Sequence, residues 1–260
     1  MKQNPEGEIL TRVSGQIGWL TIANPLNRNA MNLAMYQQIP SAITELVNAG
    51  IRVVIVQGHG DEAFGAGSDI SEFAELRTGE NADTYDKAEA DAHEALENTP
   101  VPTIAMVKGP CRGGGLAIAL ACDLRYASED ATFAAPPAKL GIAFPHPAVE
   151  SLVNVIGDAH ARHLLLTATT IDAQEANRIG LIHRIMDASI LETEIVSIAT
   201  QICKLAPNSL TAAKTSLANL KGHATQQQVQ DAIAACYESQ DYQEGITAFM
   251  DKRAPDFNGT

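Results

Sequence analysis

The chain has 260 residues, 45% of them hydrophobic, and a formal net charge of −13. That is enough apolar content for one large domain or a domain with an appendage. No run of about 18 apolar residues exists to span a bilayer, and the acidic balance argues against a nucleic-acid surface. The opening MKQNPEGEILTRV is polar and lacks the apolar core of a signal peptide. Cys111, Cys122, Cys203 and Cys236 form no CxxC pair, so reduced thiols in a cytoplasmic protein are expected rather than disulfides or zinc.

In chain order, Ile9–Val13 and Gln16–Ala23 read as strands around a turn at Gly15. Asn32 caps a helical pattern that stops at Gly50, and Pro40 inside it predicts a kink or a split. Arg52–Gln57 (RVVIVQ) is a buried strand by its β-branched run. A glycine-bearing loop and an acidic helical stretch follow, reaching about Asn98. Residues 61–97 hold twelve acidic side chains against only Arg77 and Lys87, which reads as a solvated helical face, with an acidic docking surface as the minority reading. Thr103–Val107 is a second buried strand, the helix Leu116–Cys122 comes next, and Asp123–Ala127 and Ala131–Ala134 are short strands. Beyond Pro145 the chain is mostly helical, near 147–156, 159–166, 173–179, 189–204, 209–220, 225–239 and 241–252, with one strand around Leu181–Ile185. The order predicts a mixed α/β core with a helical C-terminal module.

Two apparent motifs fail on context. Gly58–Ala63 (GHGDEA) follows a strand as a dinucleotide fingerprint would, but two more glycines follow where a helix must begin. His160 and His163 lie three apart with no third ligand at useful spacing, so they read as solvated helix histidines and no metal site is expected. A pair of glycine loops is more informative. RVVIVQ leads to Ala66-Gly67-Ser68-Asp69-Ile70, and TIAMV leads to Gly113-Gly114-Gly115 and a helix. Bare amides at such turns can bind an oxyanion, one from each loop; close helix–strand packing explains the glycines equally well.

Several stretches, in order, resemble the crotonase, or enoyl-CoA hydratase/isomerase, superfamily over essentially the whole chain. They are NPLNRNAMN (24–32), RVVIVQGHGDEAFGAGSDISEF (52–73), VPTIAMVKGPCRGGGLAIALACDLRYASEDATF (101–133), LGIAF (140–144), IDAQEANRIGLIHRI (171–185) and AFMDKRAPDF (248–257). The resemblance implies an α/β spiral of ββα units over 1–200 and a helical trimerisation region over 201–260, assembled as homotrimers or dimers of trimers. It implies an acyl-CoA thioester as substrate, with coenzyme A entering as part of that substrate and no other cofactor. The amides of Ser68 and Gly114 would hold the thioester oxygen. Asn27, Arg28, Ala30, Ala66, Ser68, Asp69 and Ile70 would line the coenzyme, with Lys252 near the ligand of an adjacent subunit.

The resemblance breaks where hydratases of the family carry two glutamates. Those positions fall on Ala117 and Pro137, and the aspartate of some relatives falls on Pro145. Neither alanine nor proline moves a proton. The nearby Phe144-Pro145-His146-Pro147 makes His146 the candidate general acid or base, since imidazole titrates near neutrality. Ser68 adds a hydroxyl beside the oxyanion position, Glu72 and Glu150 are further candidate bases, Asp69 and Asp123 read as structural, and His59 and His93 read as surface groups. Three functions stay open: an acyl-CoA enzyme (hydratase, isomerase, hydrolase or C–C lyase), a non-catalytic acyl-CoA-binding oligomer, and a fatty-acid pathway subunit docking through its acidic face.

Overall fold

The computed structural model describes residues 7–260; the polar segment 1–6, part of the stretch read as lacking a signal sequence, lies outside the described residues. The first half runs β1 (Glu8–Ser14), β2 (Ile17–Ala23), α1 (Leu33–Asn48), β3 (Val53–Gly58), α2 (Phe73–Leu76), α3 (Ala82–Glu97), β4 (Thr103–Val107), β5 (Pro110–Arg112), α4 (Gly114–Ala121), β6 (Leu124–Ser128) and β7 (Thr132–Ala134). The second runs α5 (His146–Thr167), β8 (Thr170–Asp172), α6 (Ala173–Arg178), β9 (Arg184–Met186), α7 (Leu191–Ile202), α8 (Pro207–Leu220), α9 (Gln226–Glu238) and α10 (Gln240–Asp251).

Six strands form one sheet in the order β1-β2-β3-β4-β6-β9, and β5, β7 and β8 form a second. β1 and β2 pair antiparallel as a hairpin, whereas β2 through β9 of the large sheet are parallel. The period of two along a strand sends alternate side chains to opposite faces. Val54, Val56, Ala105 and Val107 therefore join Leu20, Ile22 and the helices α1, α3 and α4 in one core. Val53, Ile55, Ile104 and Met106 face the other way, onto Trp19 and the Leu191, Ile195 and Ala199 face of α7. Cover on both faces is why β3 and β4 read as unbroken apolar runs. Each of the valines, leucines, isoleucines and methionines among them contributes about 1.5–3 kcal/mol when fully buried.

α1 is one helix, capped by Asn32, which accepts from the Met35 amide (2.8 Å). Of the kink or split expected at Pro40, the split does not occur. Met35, Tyr36, Ile39, Ala42, Ile43 and Leu46 form a buried face that continues across the proline, and this packing outweighs one lost backbone hydrogen bond. The helical run His146–Thr167 does break, at Gly157 (φ 77°, ψ 160°). The expected strand over Leu181–Ile185 settles at Arg184–Met186, and the helix expected from Leu116 begins at Gly114. β5 and β8 carry three residues each, too few to show a sequence period.

Candidate active site

Both glycine loops leave the C-terminal ends of parallel strands, the edge where open α/β sheets place ligands. Backbone hydrogen bonds zip the loop after β3 on both sides. Toward β5, the Gly65 amide donates to the Pro110 carbonyl (3.2 Å) and the Arg112 amide to the Gly65 carbonyl (2.9 Å). Toward the segment before α1, the Met31 amide donates to the Gly67 carbonyl (2.8 Å) and the Asp69 amide to the Met31 carbonyl (2.7 Å).

Each residue of the triple glycine has its own reason. Gly113 adopts φ 50° and donates its amide to the Ala134 carbonyl (3.0 Å), turning the chain into α4. A Cβ on Gly115 would stand 2.5 Å from the Gly65 carbonyl oxygen, so tight packing applies here. A Cβ on Gly114 would collide with the Tyr36 hydroxyl and lie 3.3 Å from the Ser68 nitrogen. Among the described residues, neither the Ser68 nor the Gly114 amide donates to a protein acceptor. Close packing thus explains Gly115, while Gly114 sits where its amide and that of Ser68 lie side by side without a protein acceptor.

A cavity of about 70 Å³ opens beside these amides, walled by Ser68, Gly114, Phe73, Pro137, Ile142 and Phe144 among others. Behind it a space of about 10 Å³ is bounded by Tyr36, Glu89, His93, Gly114 and Ala117. Glu89 lines both, only 6% exposed. Its Oε1 accepts from Ser68 Oγ (2.7 Å) and Arg77 Nη1 (3.2 Å), and its Oε2 from Arg77 Nη2 (2.8 Å). Arg77 Nη2 also donates to Asp86 (2.8 Å), and the guanidinium lies 4.9 Å from the ring centroids of both Phe73 and Tyr85, which meet edge to face. The Tyr36 hydroxyl lies 2.9 Å from Ser68 Oγ. The one Ser68 proton goes to Glu89, so Tyr36 donates to Ser68 and the chain of hydrogens runs Tyr36, Ser68, Glu89. Burial first, then the Glu89 charge, pushes the Tyr36 phenol well above its ordinary pKa, which keeps it a donor. Burial also raises the Glu89 carboxyl above its ordinary value, against the opposing pull of Ser68 and Arg77.

The residues expected to line a coenzyme gather around the same loop. The Ala66 amide donates to the Arg28 carbonyl (3.0 Å), the Ala30 amide to the Asn27 carbonyl (3.0 Å), and Asn27 Nδ2 reaches Asp69 (3.5 Å). Asn27, Arg28, Ala66 and Ile70 are exposed, Asp69 is half-buried and Ala30 is buried. Asp69 also caps the turn Ile70–Glu72 through the Ser71 amide. Lys252 is exposed just past α10, where φ is 57°, and lines neither cavity.

His146 stands exposed on the first turn of α5 and is likewise outside both walls, although its neighbour Pro145 belongs to each. Glu72 accepts from the Leu33 amide at the start of α1 (2.9 Å), and Glu150 faces His223 (3.2 Å). Asp123 ties Thr103 to Lys214. His59 is half-buried. His93 is not a surface group: it is 3% exposed, its Nε2 sits 3.0 Å from Ser151 Oγ, and burial pulls its pKa below the ordinary value. The acidic stretch is likewise not uniformly solvated, because Glu89 turns inward. Its signal was present in the sequence: Tyr85, Ala88, Ala92 and Leu96 form an apolar stripe at helical spacing, and Glu89 and His93 lie on that stripe.

The sequence matches the enoyl-CoA hydratase/isomerase family over residues 12–260. The chain belongs to this family. Among its curated relatives, "Probable enoyl-CoA hydratase echA8" of Mycobacterium bovis is 34% identical over 257 residues, covering 96% of this chain and 97% of the relative. "Methylmalonyl-CoA decarboxylase" of Escherichia coli is 29% identical, covering 89% and 90%. A crystal structure described as an enoyl-CoA hydratase/carnithine racemase from Magnetospirillum magneticum superposes with a TM-score of 0.91 at 32% identity, covering 97% of this chain and 96% of that one. The α/β architecture with its helical C-terminal region is therefore that of the crotonase superfamily.

Proposed function

We propose that this member of the family processes acyl-CoA thioesters by holding the carbonyl oxygen between the amides of Ser68 and Gly114, so that charge builds as an enolate. The observation that carries this reading is the pair of uncommitted amides, adjacent and aimed from two braced loops. Each such donor typically stabilises a developing oxyanion by about 2.7–4 kcal/mol. Coenzyme A enters as part of the substrate, along the exposed loops around Asn27–Arg28 and Ala66–Ile70. Phe73, Ile142, Phe144 and the prolines make the acyl end apolar, which suits a hydrocarbon chain. Ala117 lines the rear space and Pro137 the substrate cavity, at the positions where the two hydratase glutamates are expected, so in this reading the reaction differs from ordinary hydration; the same residues support a second reading, an acyl-CoA binder without turnover.

In this reading the protein is cytoplasmic and assembles as a trimer or dimer of trimers, and an apolar groove of about 650 Å³ on α8–α10 supports the assembly. Calorimetric titration with acetyl-CoA is expected to show binding, and its absence would overturn the reading. Loss of ultraviolet absorbance from crotonyl-CoA is expected to run at least about 100-fold slower than in a hydratase carrying both glutamates, because each general acid or base is typically worth 10²–10⁴. Turnover at an ordinary hydratase rate would remove the significance of Ala117 and Pro137.

A further inference from the structure

The carboxylate missing from α4 and from the loop at Pro137 has a counterpart on α3. Ala117 leaves the small space behind the oxyanion amides, and Glu89 closes that space from the opposite wall. Glu89 is also in the wall of the substrate cavity, one hydrogen bond from Ser68, whose own amide is one of the two oxyanion donors. Gly114, the other donor, lines both spaces with it. Glu89 and the two amides therefore face the same enclosed space, within reach of one small acyl group.

We infer that Glu89 is the base that takes the α-proton of the bound acyl thioester, with Ser68, Tyr36 and Arg77 positioning its carboxylate. This rests on the enolate reading above and deepens it. The step is a proton transfer alone. The Cα–H bond breaks, its electron pair forms the enolate double bond, and the negative charge moves to the oxygen held by Ser68 and Gly114. The proton becomes the acid hydrogen of Glu89. Return of that proton to Cα restores the substrate, and return to Cγ of a 3-enoyl thioester's dienolate gives the conjugated 2-enoyl isomer, so no co-reactant is needed. Arg77 is the fixed cation and Ser68 the donor on the carboxylate. The other charged and titratable groups around it are Asp86, Tyr85 and His93 on α3, the last one turn on and also lining the rear space, and Tyr36 on α1. The buried, doubly braced carboxylate is thereby held in place without a flexible loop.

The test uses full-length protein with 3-butenoyl-CoA in D₂O, following deuterium at Cα by mass spectrometry and the conjugated product by absorbance. Wild type is expected to incorporate deuterium. Glu89→Gln is expected to lose at least about 100-fold of that rate while retaining acetyl-CoA affinity within about threefold by calorimetry. Glu89→Asp, which keeps the charge, is expected to recover part of it.

Should Glu89→Gln fail to fold, Ser68→Ala carries the test, because it keeps the amide and the Arg77 pair. Ser68 lowers the Glu89 pKa, so its removal raises that pKa and moves the acid limb of the exchange–pH profile to higher pH. A merely structural role would leave that limb in place. Exchange within threefold of wild type in Glu89→Gln, an unmoved limb in Ser68→Ala, or loss of exchange in His146→Ala instead would each overturn the assignment while the enolate reading stands. A wild-type protein that binds acetyl-CoA but exchanges no α-hydrogen would overturn both.

Discussion

At Gly115 a single methyl group decides whether α4 can sit against the loop after β3. The added Cβ would meet backbone, the Gly65 carbonyl oxygen at 2.5 Å and its carbon at 3.0 Å, so no side-chain rotation relieves the contact. Gly115→Ala is expected to cost about 1–3 kcal/mol, read as a lower urea midpoint at unchanged slope. At this scale the sequence was only half legible. Only the resemblance to the crotonase superfamily singles out Ser68 and Gly114, although the two glycine loops stand out in the sequence because glycine leaves a visible mark. Glu89 left none. In an acidic run its identity carries no information, and only its place on the apolar stripe of α3 distinguishes it.

The helices show which local signals survive packing. Asn32 and the residues after it specify α1 as the sequence suggests, while Pro40 loses its argument to a buried face that exists only once the helix meets the sheet. Glu72 adds a link from outside the helix. It sits in the turn Ile70–Glu72 and accepts from the Leu33 amide, one of the donors that a helix start leaves unpaired. Glu72→Ala is expected to cost about 1 kcal/mol, with Glu72→Gln restoring most of it because the amide oxygen still accepts; equal midpoints for wild type and Glu72→Ala in urea would refute this. The same bond ties the Asp69–Glu72 loop to α1, so the position of that loop depends on the start of the helix.

Across the whole molecule, the C-terminal helices leave apolar surface that the chain alone does not cover. Phe249 is 82% and Met250 74% exposed beside the groove, more than an isolated surface residue explains. Sedimentation equilibrium is expected to give three or six times the 27.6 kDa chain mass, and Phe249→Asp to shift the population toward monomer; a wild-type monomer at micromolar concentration would contradict the assembly. The order of strands and helices was readable because two-residue and helical periods differ over long segments. β5 and β8 were not, since three residues acquire strand geometry only from their neighbours.

The two donors proposed for the oxyanion belong to the main chain, which bears on how such a scaffold diversifies. Position 68 presents its N–H whatever side chain it carries, since the Met31 bridge and the β5 bonds that hold it involve backbone alone. Substrate capture and proton movement are thereby written in separate layers of the polymer, so a lineage can trade one acid or base for another on a neighbouring helix without dismantling the anchor that makes either useful.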